Sequence, residues 1–251
     1  MAPHRVLVTG MSGLIGTALR RHLEARYALR ALNRRPVAGV VCYQADLADL
    51  TAIQPAFDGV DVVVHLAAQT GNPPFEEVLR TNVVGTHNVF EAARRAGVNR
   101  LVYASSGATV SACERDEPYR ALVEGRYADV KDGWTMLTHA MAVRPAGLYG
   151  ASKVWGEALA RHYADAHGLS AICLRIGRVH AEDRPLSVRD FSVWCSQRDI
   201  VRMIELAVAA PDSVRFDVFY VTSNNRWSYR DLAHARDVLG FEPRDTAEDY
   251  R

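Results

Sequence analysis

The sequence predicts an α/β fold built on a doubly wound parallel sheet. Short runs rich in Val, Ile, Leu and Tyr alternate with amphipathic stretches through the first two thirds of the chain. Several of these runs are almost continuously apolar, which is typical of strands covered on both faces. A glycine-rich turn between the first strand-like run and the first amphipathic stretch is the third observation.

The elements follow in strict order. The predicted strands are 5–9, 28–33, 40–44, 61–66, 100–104, 170–175 and 216–221. The predicted helices are 14–25, 48–57, 75–96, 149–167, 197–209 and 228–239. Only residues 107–148 lack a clear period. A loop this long inside a compact domain is usually functional, so we expect it to form a wall or lid of the substrate site, with a passive surface excursion as the alternative.

Composition limits the class of protein. The formal net charge is +1, so neither nucleic acid nor an anionic membrane is an expected partner. No apolar stretch approaches the roughly 20 residues of a membrane-spanning helix. The first strand begins at residue 5, which leaves no room for a signal peptide. Four scattered cysteines favour reduced thiols over disulfides or zinc, and no histidine spacing indicates a metal site. We therefore expect a cytoplasmic protein without a metal.

The glycine-rich turn has the spacing GxxGxxG, one residue longer than the GxGxxG dinucleotide fingerprint. Gly10 permits the tight turn, Gly13 lets the backbone approach a pyrophosphate, and Gly16 lets helix and strand pack closely. Backbone N–H groups at the helix N-terminus then face the anion. The turn therefore predicts dinucleotide contacts from Gly10, Ser12, Gly13, Leu14, Ile15 and Gly16.

The end of the second strand bears on which dinucleotide binds. An acidic residue there would accept hydrogen bonds from the ribose of NAD, but this position holds Asn33. Arg34 and Arg35 follow, and two guanidiniums can pair with a 2′-phosphate. This favours NADP, and the alternative is that both arginines are solvated and NAD is also accepted. Asp46 and Leu47 follow the third strand and could reach the adenine, although an Asp there is also a common helix cap.

Tyr149 and Lys153 stand at i and i+4, on one face of a predicted helix. An ammonium beside a phenol favours the phenolate and lowers the pKa of the tyrosine, as an acid/base requires. Ser105 and Ser106 end the fifth strand, where ligands of α/β sheets bind, and a serine there can hold the reacting oxygen. Together with the glycine turn, these residues predict hydride-transfer chemistry.

These segments resemble the extended short-chain dehydrogenase/reductase family, also called the NAD-dependent epimerase/dehydratase family, and within it the uronate dehydrogenases. The resemblance spans almost the whole chain and includes TGMSGLIG (9–16), HLAA (65–68), TNVVGT (81–86), YASS (103–106) and YGASK (149–153). It implies a Rossmann-type sheet with a small C-terminal substrate-binding part. It also implies a homodimer formed through the Tyr149 helix and the 75–96 helix, and hydride transfer between NAD(P) and a hydroxyl or carbonyl of a small sugar-like substrate, an anionic sugar included.

The family's roles carry over unevenly. Tyr149, Lys153 and Ser106 match the acid/base, its lysine and the serine that binds the hydroxyl, and Tyr149 and Lys153 also contact the cofactor. Leu66, Ala67 and Ala68 match further cofactor contacts. Thr70 replaces a serine that touches substrate, and Arg189 matches an arginine that holds the substrate carboxylate. Gly107 and Arg178 replace an asparagine and a serine of the sugar site. The substrate residues implied are Thr70, Ser106, Gly107, Tyr149, Arg178 and Arg189.

We expect residues 1–251 to form a single domain, with 1–175 mainly the dinucleotide-binding core and 176–251 the interleaved substrate-binding part. Two other functions stay open. A nucleotide-sugar epimerase or dehydratase would keep its cofactor bound, although the chain beyond residue 175 is short for holding a nucleotide sugar. A dinucleotide-sensing protein without turnover commonly lacks the Tyr149–Lys153 pair.

Overall fold

The computed structural model describes residues 4–130 and 132–251. Its centre is a seven-stranded, all-parallel sheet in the order β3-β2-β1-β4-β5-β6-β7. The strands are β1 (Arg5–Thr9), β2 (Ala28–Asn33), β3 (Val41–Gln44), β4 (Val62–His65), β5 (Arg100–Ser106), β6 (Ser170–Ile176) and β7 (Phe216–Val221). The predicted fold class and all seven strands are confirmed.

Nine α-helices occur in the described residues: α1 (Leu14–Leu23), α2 (Leu50–Ile53), α3 (Phe75–Glu77), α4 (Thr86–Arg95), α5 (Tyr119–Glu124), α6 (Leu148–His167), α7 (Asp190–Val193), α8 (Gln197–Val208) and α9 (Ala233–Leu239). A π-helical segment, Val78–Gly85, joins α3 to α4. Short 3₁₀ turns cover Gln54–Phe57, Gly107–Arg115, Tyr127–Val130 and Ala247–Tyr250.

Both faces of the sheet are covered. Val6 and Val8 of β1 point into a layer formed with α1 and α8, while Leu7 points into the opposite layer with α4 and α6. Because side chains alternate between the two faces of a strand, a strand buried on both must be apolar at every position. The continuous apolar runs in the sequence reflect this arrangement.

Residues 107–148 contain more structure than the sequence indicated. They form two 3₁₀ turns and α5 around a third apolar cluster that includes Val110, Leu122 and Leu137. This cluster packs on Tyr220 and Tyr229 from the C-terminal part of the chain. The segment is therefore not a passive surface excursion, because it shares a core with the predicted substrate-binding part. Its expected place in a wall or lid of the substrate site stays a prediction.

Two predicted helices differ in detail. The 75–96 helix contains the π-helical segment, whose buried members include Asn82. The predicted 228–239 helix begins only at Ala233, because residues 229–231 pair with the 107–148 segment instead. The N–H of Leu137 donates to the carbonyl of Tyr229 at 2.7 Å, and the N–H of Asp231 donates to the carbonyl of Leu137 at 3.0 Å. No helix in the described part of the chain is both long and apolar enough to cross a membrane.

Candidate active site

The glycine turn joins β1 to α1, at the point in the sheet where β1 lies beside β4. Gly10 has φ +72°, and a Cβ there would lie 2.8 Å from the backbone nitrogen of Ala67. A Cβ on Gly16 would lie 2.6 Å from the carbonyl oxygen of Gly10. Helix α1 begins without a side-chain cap and without an acidic residue in its first turn. Its first N–H groups are therefore free to donate to an anion.

A cavity of about 820 Å³ opens at the carboxyl ends of β1, β2, β3 and β4. Eleven of the predicted cofactor residues line it: Gly10, Ser12, Gly13, Asn33, Arg34, Arg35, Asp46, Leu47, Leu66, Ala67 and Ala68. Leu14, Ile15, Gly16, Tyr149 and Lys153 do not. Gly16 acts instead through its close packing on the turn, and Ile15 packs against the core. Sequence reasoning missed Gln69, Glu77, Arg80 and Thr81, which line the opposite wall.

The polar groups of this cavity fit a dinucleotide. Asn33 is buried, and neither its Oδ1 nor its Nδ2 has a hydrogen-bond partner among the described residues. A buried amide without partners is costly, and ribose hydroxyls would supply both a donor and an acceptor. Arg34 and Arg35 lie at the rim with no carboxylate of the described residues within 4 Å. Asp46 is held by Arg80 at 2.8 Å, and the Ala48 N–H and this guanidinium lower the pKa of its carboxyl.

Helix α6 brings Tyr149 and Lys153 to the end of β5. Lys153 is buried, and its Nζ donates to the carbonyl of Ala104 at 2.7 Å. The same nitrogen lies 5.6 Å from the centre of the Tyr149 ring. A Cβ on Gly150 would lie 2.5 Å from the carbonyl of Ala108, so this glycine allows the helix to approach the strand end closely.

Burial dominates the ionisation of both groups. It lowers the pKa of Lys153 to about 7. It raises the pKa of Tyr149, and the Ser106 hydroxyl beside the phenol partly offsets that rise. The expectation that the ammonium of Lys153 lowers the pKa of this tyrosine is not met, because burial raises that pKa. The low-dielectric surroundings disfavour the phenolate and the ammonium alike.

The two serines at the end of β5 have different roles. The Ser105 hydroxyl donates to Oε1 of the buried Glu157 at 2.6 Å, so it faces away from the reacting groups. The Ser106 hydroxyl accepts the N–H of Ala108 at 3.1 Å and faces Tyr149. The structure therefore favours Ser106 for the reacting oxygen.

The predicted substrate residues are only partly brought together. Thr70 is exposed in the loop after β4, and the Arg178 side chain is half exposed, 3.7 Å from a carboxylate oxygen of Asp190. Arg189 is bound to Glu114 by two hydrogen bonds of 2.7 and 2.6 Å. The arginine that the resemblance assigned to a substrate carboxylate thus already has a carboxylate partner inside the protein.

Two further polar residues support the site rather than react. His65 is fully buried between the hydroxyls of Thr9 and Thr86, at 2.7 and 3.1 Å. Burial lowers its pKa to about 3, so the ring is neutral. Asn82 accepts the N–H of Gln69 at 2.7 Å and donates to the Ser152 hydroxyl at 3.1 Å. It ties the loop after β4 to the helix that carries Tyr149.

One cluster was not visible in the sequence. His139, Asp217 and His234 lie at the outer edge of the sheet with potential metal ligands within 4.8 Å of one another. The two imidazoles are stacked face to face, with centroids 3.7 Å apart. Lone pairs in parallel ring planes do not converge on one point, so we assign no metal. The His234 ring instead meets the Asp217 carboxylate at 2.7 Å.

A parallel sheet with a glycine turn at β1 and a Tyr–Lys pair beside the end of β5 defines an oxidoreductase of the short-chain dehydrogenase type that uses a nicotinamide dinucleotide. The chain belongs to the NAD dependent epimerase/dehydratase family, whose sequence model matches residues 6–239.

Several relatives that match almost the whole chain are sugar dehydrogenases. The NAD-dependent glucose-6-phosphate dehydrogenase of Haloferax volcanii is 33% identical, covering 98% of this chain and 95% of the relative. A uronate dehydrogenase of Agrobacterium fabrum is 36% identical, covering 98% and 87%. Among solved structures, uronate dehydrogenase from Agrobacterium tumefaciens aligns with a TM-score of 0.84 at 35% identity, covering 100% of this chain and 88% of that one. A mutant of that enzyme complexed with NAD aligns with a TM-score of 0.83 at 34% identity, covering 100% and 88%.

Proposed function

We propose that this enzyme oxidises a hydroxyl of a small sugar or sugar acid, and reduces the corresponding carbonyl in the reverse direction. The observation that carries the proposal is the convergence of Tyr149, Lys153 and Ser106 beside the dinucleotide cavity. Relatives that act on glucose 6-phosphate, uronates and L-arabinose support a sugar-like substrate.

Each residue has a distinct task in this reaction. The Tyr149 phenolate accepts the proton of the substrate hydroxyl, and the Ser106 hydroxyl holds the reacting oxygen. Lys153, when protonated, supplies a positive charge beside the phenol and favours the phenolate. A bound nicotinamide would supply the hydride acceptor for the carbon that carries the substrate hydroxyl. Because burial raises the pKa of Tyr149, kcat/KM for oxidation should rise with increasing pH.

The cofactor proposed is NADP in preference to NAD. Arg34 and Arg35 line the cavity beside Asn33, and neither forms an ion pair within 4 Å with a carboxylate of the described residues. Arg34 is still close enough to Asp46 to help lower the pKa of that carboxyl. The experiment compares KM for the two cofactors in the native enzyme and in the Arg34→Ala/Arg35→Ala variant. A charge-assisted hydrogen bond contributes roughly 1.5–3 kcal/mol. KM for NADP should therefore rise at least about tenfold while KM for NAD changes little. An equal rise in KM for NADP and for NAD would contradict the preference for NADP.

Substrate contacts are proposed at Thr70, Gly107 and Arg178 in addition to Ser106 and Tyr149. Arg178 is available because its side chain is half exposed and its Nε comes no closer than 3.7 Å to the Asp190 carboxylate. Arg189 can reach a substrate carboxylate only by exchanging its Glu114 partner, so it is the weakest member of the set.

The test follows the near-ultraviolet absorbance of the reduced nicotinamide. Native protein is incubated with either cofactor and with hexuronates, neutral aldoses or sugar phosphates. Tyr149→Phe should abolish turnover, whereas Tyr163→Phe should not. Tyr163 is the matched control because it makes the same chemical change on the same helix, where its hydroxyl donates only to Glu91 at 3.2 Å. Equal turnover in both variants would refute the assignment. Cofactor that stays bound through purification would instead favour an epimerase or dehydratase.

Three further proposals concern the whole chain. Residues 1–251 form one domain and the enzyme is cytoplasmic. It is also a homodimer, because the helices that include Leu79, Val84 and Leu148 expose apolar side chains while packing against each other. Light scattering on the purified protein tests the dimer, and a monomeric mass at micromolar concentration would refute it.

A further inference from the structure

Three arginines are buried in the described part of the chain. Arg100 donates to the Ser170 hydroxyl and to three backbone carbonyls, one in the last residue of α8 and two just after it. Arg175 forms two hydrogen bonds with Glu157, at 2.9 and 2.8 Å. Both guanidiniums thus have the partners that a buried charge requires.

Arg230 is the exception. Its residue is 2% exposed, yet no carboxylate of the described residues lies within 4 Å of its guanidinium. Its Nε has no hydrogen-bond partner. Its Nη2 makes only two long contacts, 3.4 Å to the carbonyl of Gly107 and 3.5 Å to the hydroxyl of Tyr229. A guanidinium stays charged in proteins, so most of its donors are available to a ligand.

The guanidinium lies over the backbone beside the reacting groups. A Cβ on Gly107 would lie 2.2 Å from Cζ and 2.3 Å from both terminal nitrogens of Arg230. Gly107 directly follows Ser106, which faces Tyr149. Because Gly107 has no side chain, the Arg230 guanidinium can lie directly against the backbone next to Ser106, the serine proposed to hold the reacting oxygen.

The surrounding charge favours an anion. Glu114 already binds Arg189 and accepts the Tyr229 hydroxyl at 2.5 Å. Asp190, which is paired with Arg178, is the other carboxylate that interacts with Arg189. Arg178, Arg189 and Arg230 therefore carry three positive charges against the two negative charges of Glu114 and Asp190. A ligand that meets Arg230 completes the cluster if it brings a negative charge and at least two acceptor oxygens.

We propose that Arg230 binds an oxyanion of the substrate, a carboxylate or a phosphate, and so selects acidic sugars over neutral ones. This inference rests on the proposed function, and it assigns selectivity to a residue other than Arg189. Carboxylate and phosphate share the planar pair of acceptor oxygens that a guanidinium recognises.

The kinetic test uses sugars that differ only at C6: glucose, glucuronate and glucose 6-phosphate. The native enzyme should have a higher kcat/KM for one of the two acids than for glucose. Truncating one partner of a buried charge pair typically costs at least about thirtyfold. Arg230→Met should therefore lower this acid-to-glucose ratio by about that factor, through KM, with Arg230→Lys between the two. Arg161→Met removes an exposed arginine and is the matched control, which should keep the ratio. A native preference for glucose, or an unchanged ratio in Arg230→Met, would overturn the proposal.

A binding test separates this inference from the proposed reaction. In the Tyr149→Phe background, which cannot turn over, thermal unfolding is followed with glucuronate, glucose 6-phosphate, glucose or inorganic phosphate at constant ionic strength. The favoured acid should raise Tm and glucose should not, and Arg230→Met should remove the shift. Stabilisation by phosphate that does not compete with the sugar acid would place the anion outside the substrate site and overturn the proposal. A shift without turnover in the native enzyme would instead count against the proposed function alone.

Discussion

The buried ion pair behind the reacting groups offers a sharp test of how this fold is held together. Glu157 accepts two hydrogen bonds from Arg175 and a third from Ser105, at 2.9, 2.8 and 2.6 Å. Glu157→Gln keeps the shape of the side chain but leaves the Arg175 guanidinium, 3% exposed, without a counter-charge. Breaking a buried pair in this way typically costs about 3–5 kcal/mol. The free energy of unfolding, measured in urea, should fall by that amount.

The control is an exposed pair on the same helix. Arg161 and Asp165 stand at i,i+4 with side chains 59% and 58% exposed, and such pairs contribute only about 0.3–0.5 kcal/mol. Asp165→Asn should therefore change stability very little. A double variant, Glu157→Met/Arg175→Met, should recover most of the loss, because it removes both charges together. Equal losses in Glu157→Gln and Asp165→Asn, or no recovery in the double variant, would refute the reasoning.

Three further predictions concern other parts of the molecule. Burial holds the pKa of His65 at about 3 against an ordinary 6.5. The free energy of unfolding should therefore fall by roughly 4–5 kcal/mol through this group as the pH is lowered from 6.5 to 3. In His65→Gln, Tm should depend less on pH over this range, and an unchanged pH dependence would contradict the prediction. Gly156→Ala should cost about 1–3 kcal/mol in urea unfolding, since its Cβ would lie 2.2 Å from the buried Tyr103 hydroxyl; a more stable variant would contradict it. Gly10→Ala should abolish dinucleotide binding measured by calorimetry, whereas Gly97→Ala, with a similar φ and no atom within 4 Å, should not.

The sheet and the residues that line the large cavity were predictable because their signals are local. Continuous apolar runs identify strands buried on both faces, and the glycine spacing of residues 10–16 is tied to one turn. The Tyr149–Lys153 pair lies within one helical turn. These elements therefore appeared in the sequence with nearly their observed bounds.

The features that sequence reasoning missed depend on distant contacts. Arg230 lies 123 residues from Gly107, and Arg189 lies 75 residues from Glu114. No period or motif links such positions, so Arg230 was read as part of a helix and Arg189 as a free substrate clamp. The pKa of Tyr149 was misjudged for a related reason, since burial is set by the packing of α6 on the strand ends and not by the spacing of two residues.

The adjacency of β1 and β4 in the sheet also has an evolutionary consequence. The residues proposed to choose between dinucleotides follow β2 and β3, whereas the residues proposed to bind the substrate follow β4, β5, β6 and β7. The two sets lie on opposite sides of the β1–β4 boundary. Substitutions can therefore change the cofactor preference of such an enzyme and its sugar specificity in separate steps. One scaffold can in this way serve several carbohydrate dehydrogenases.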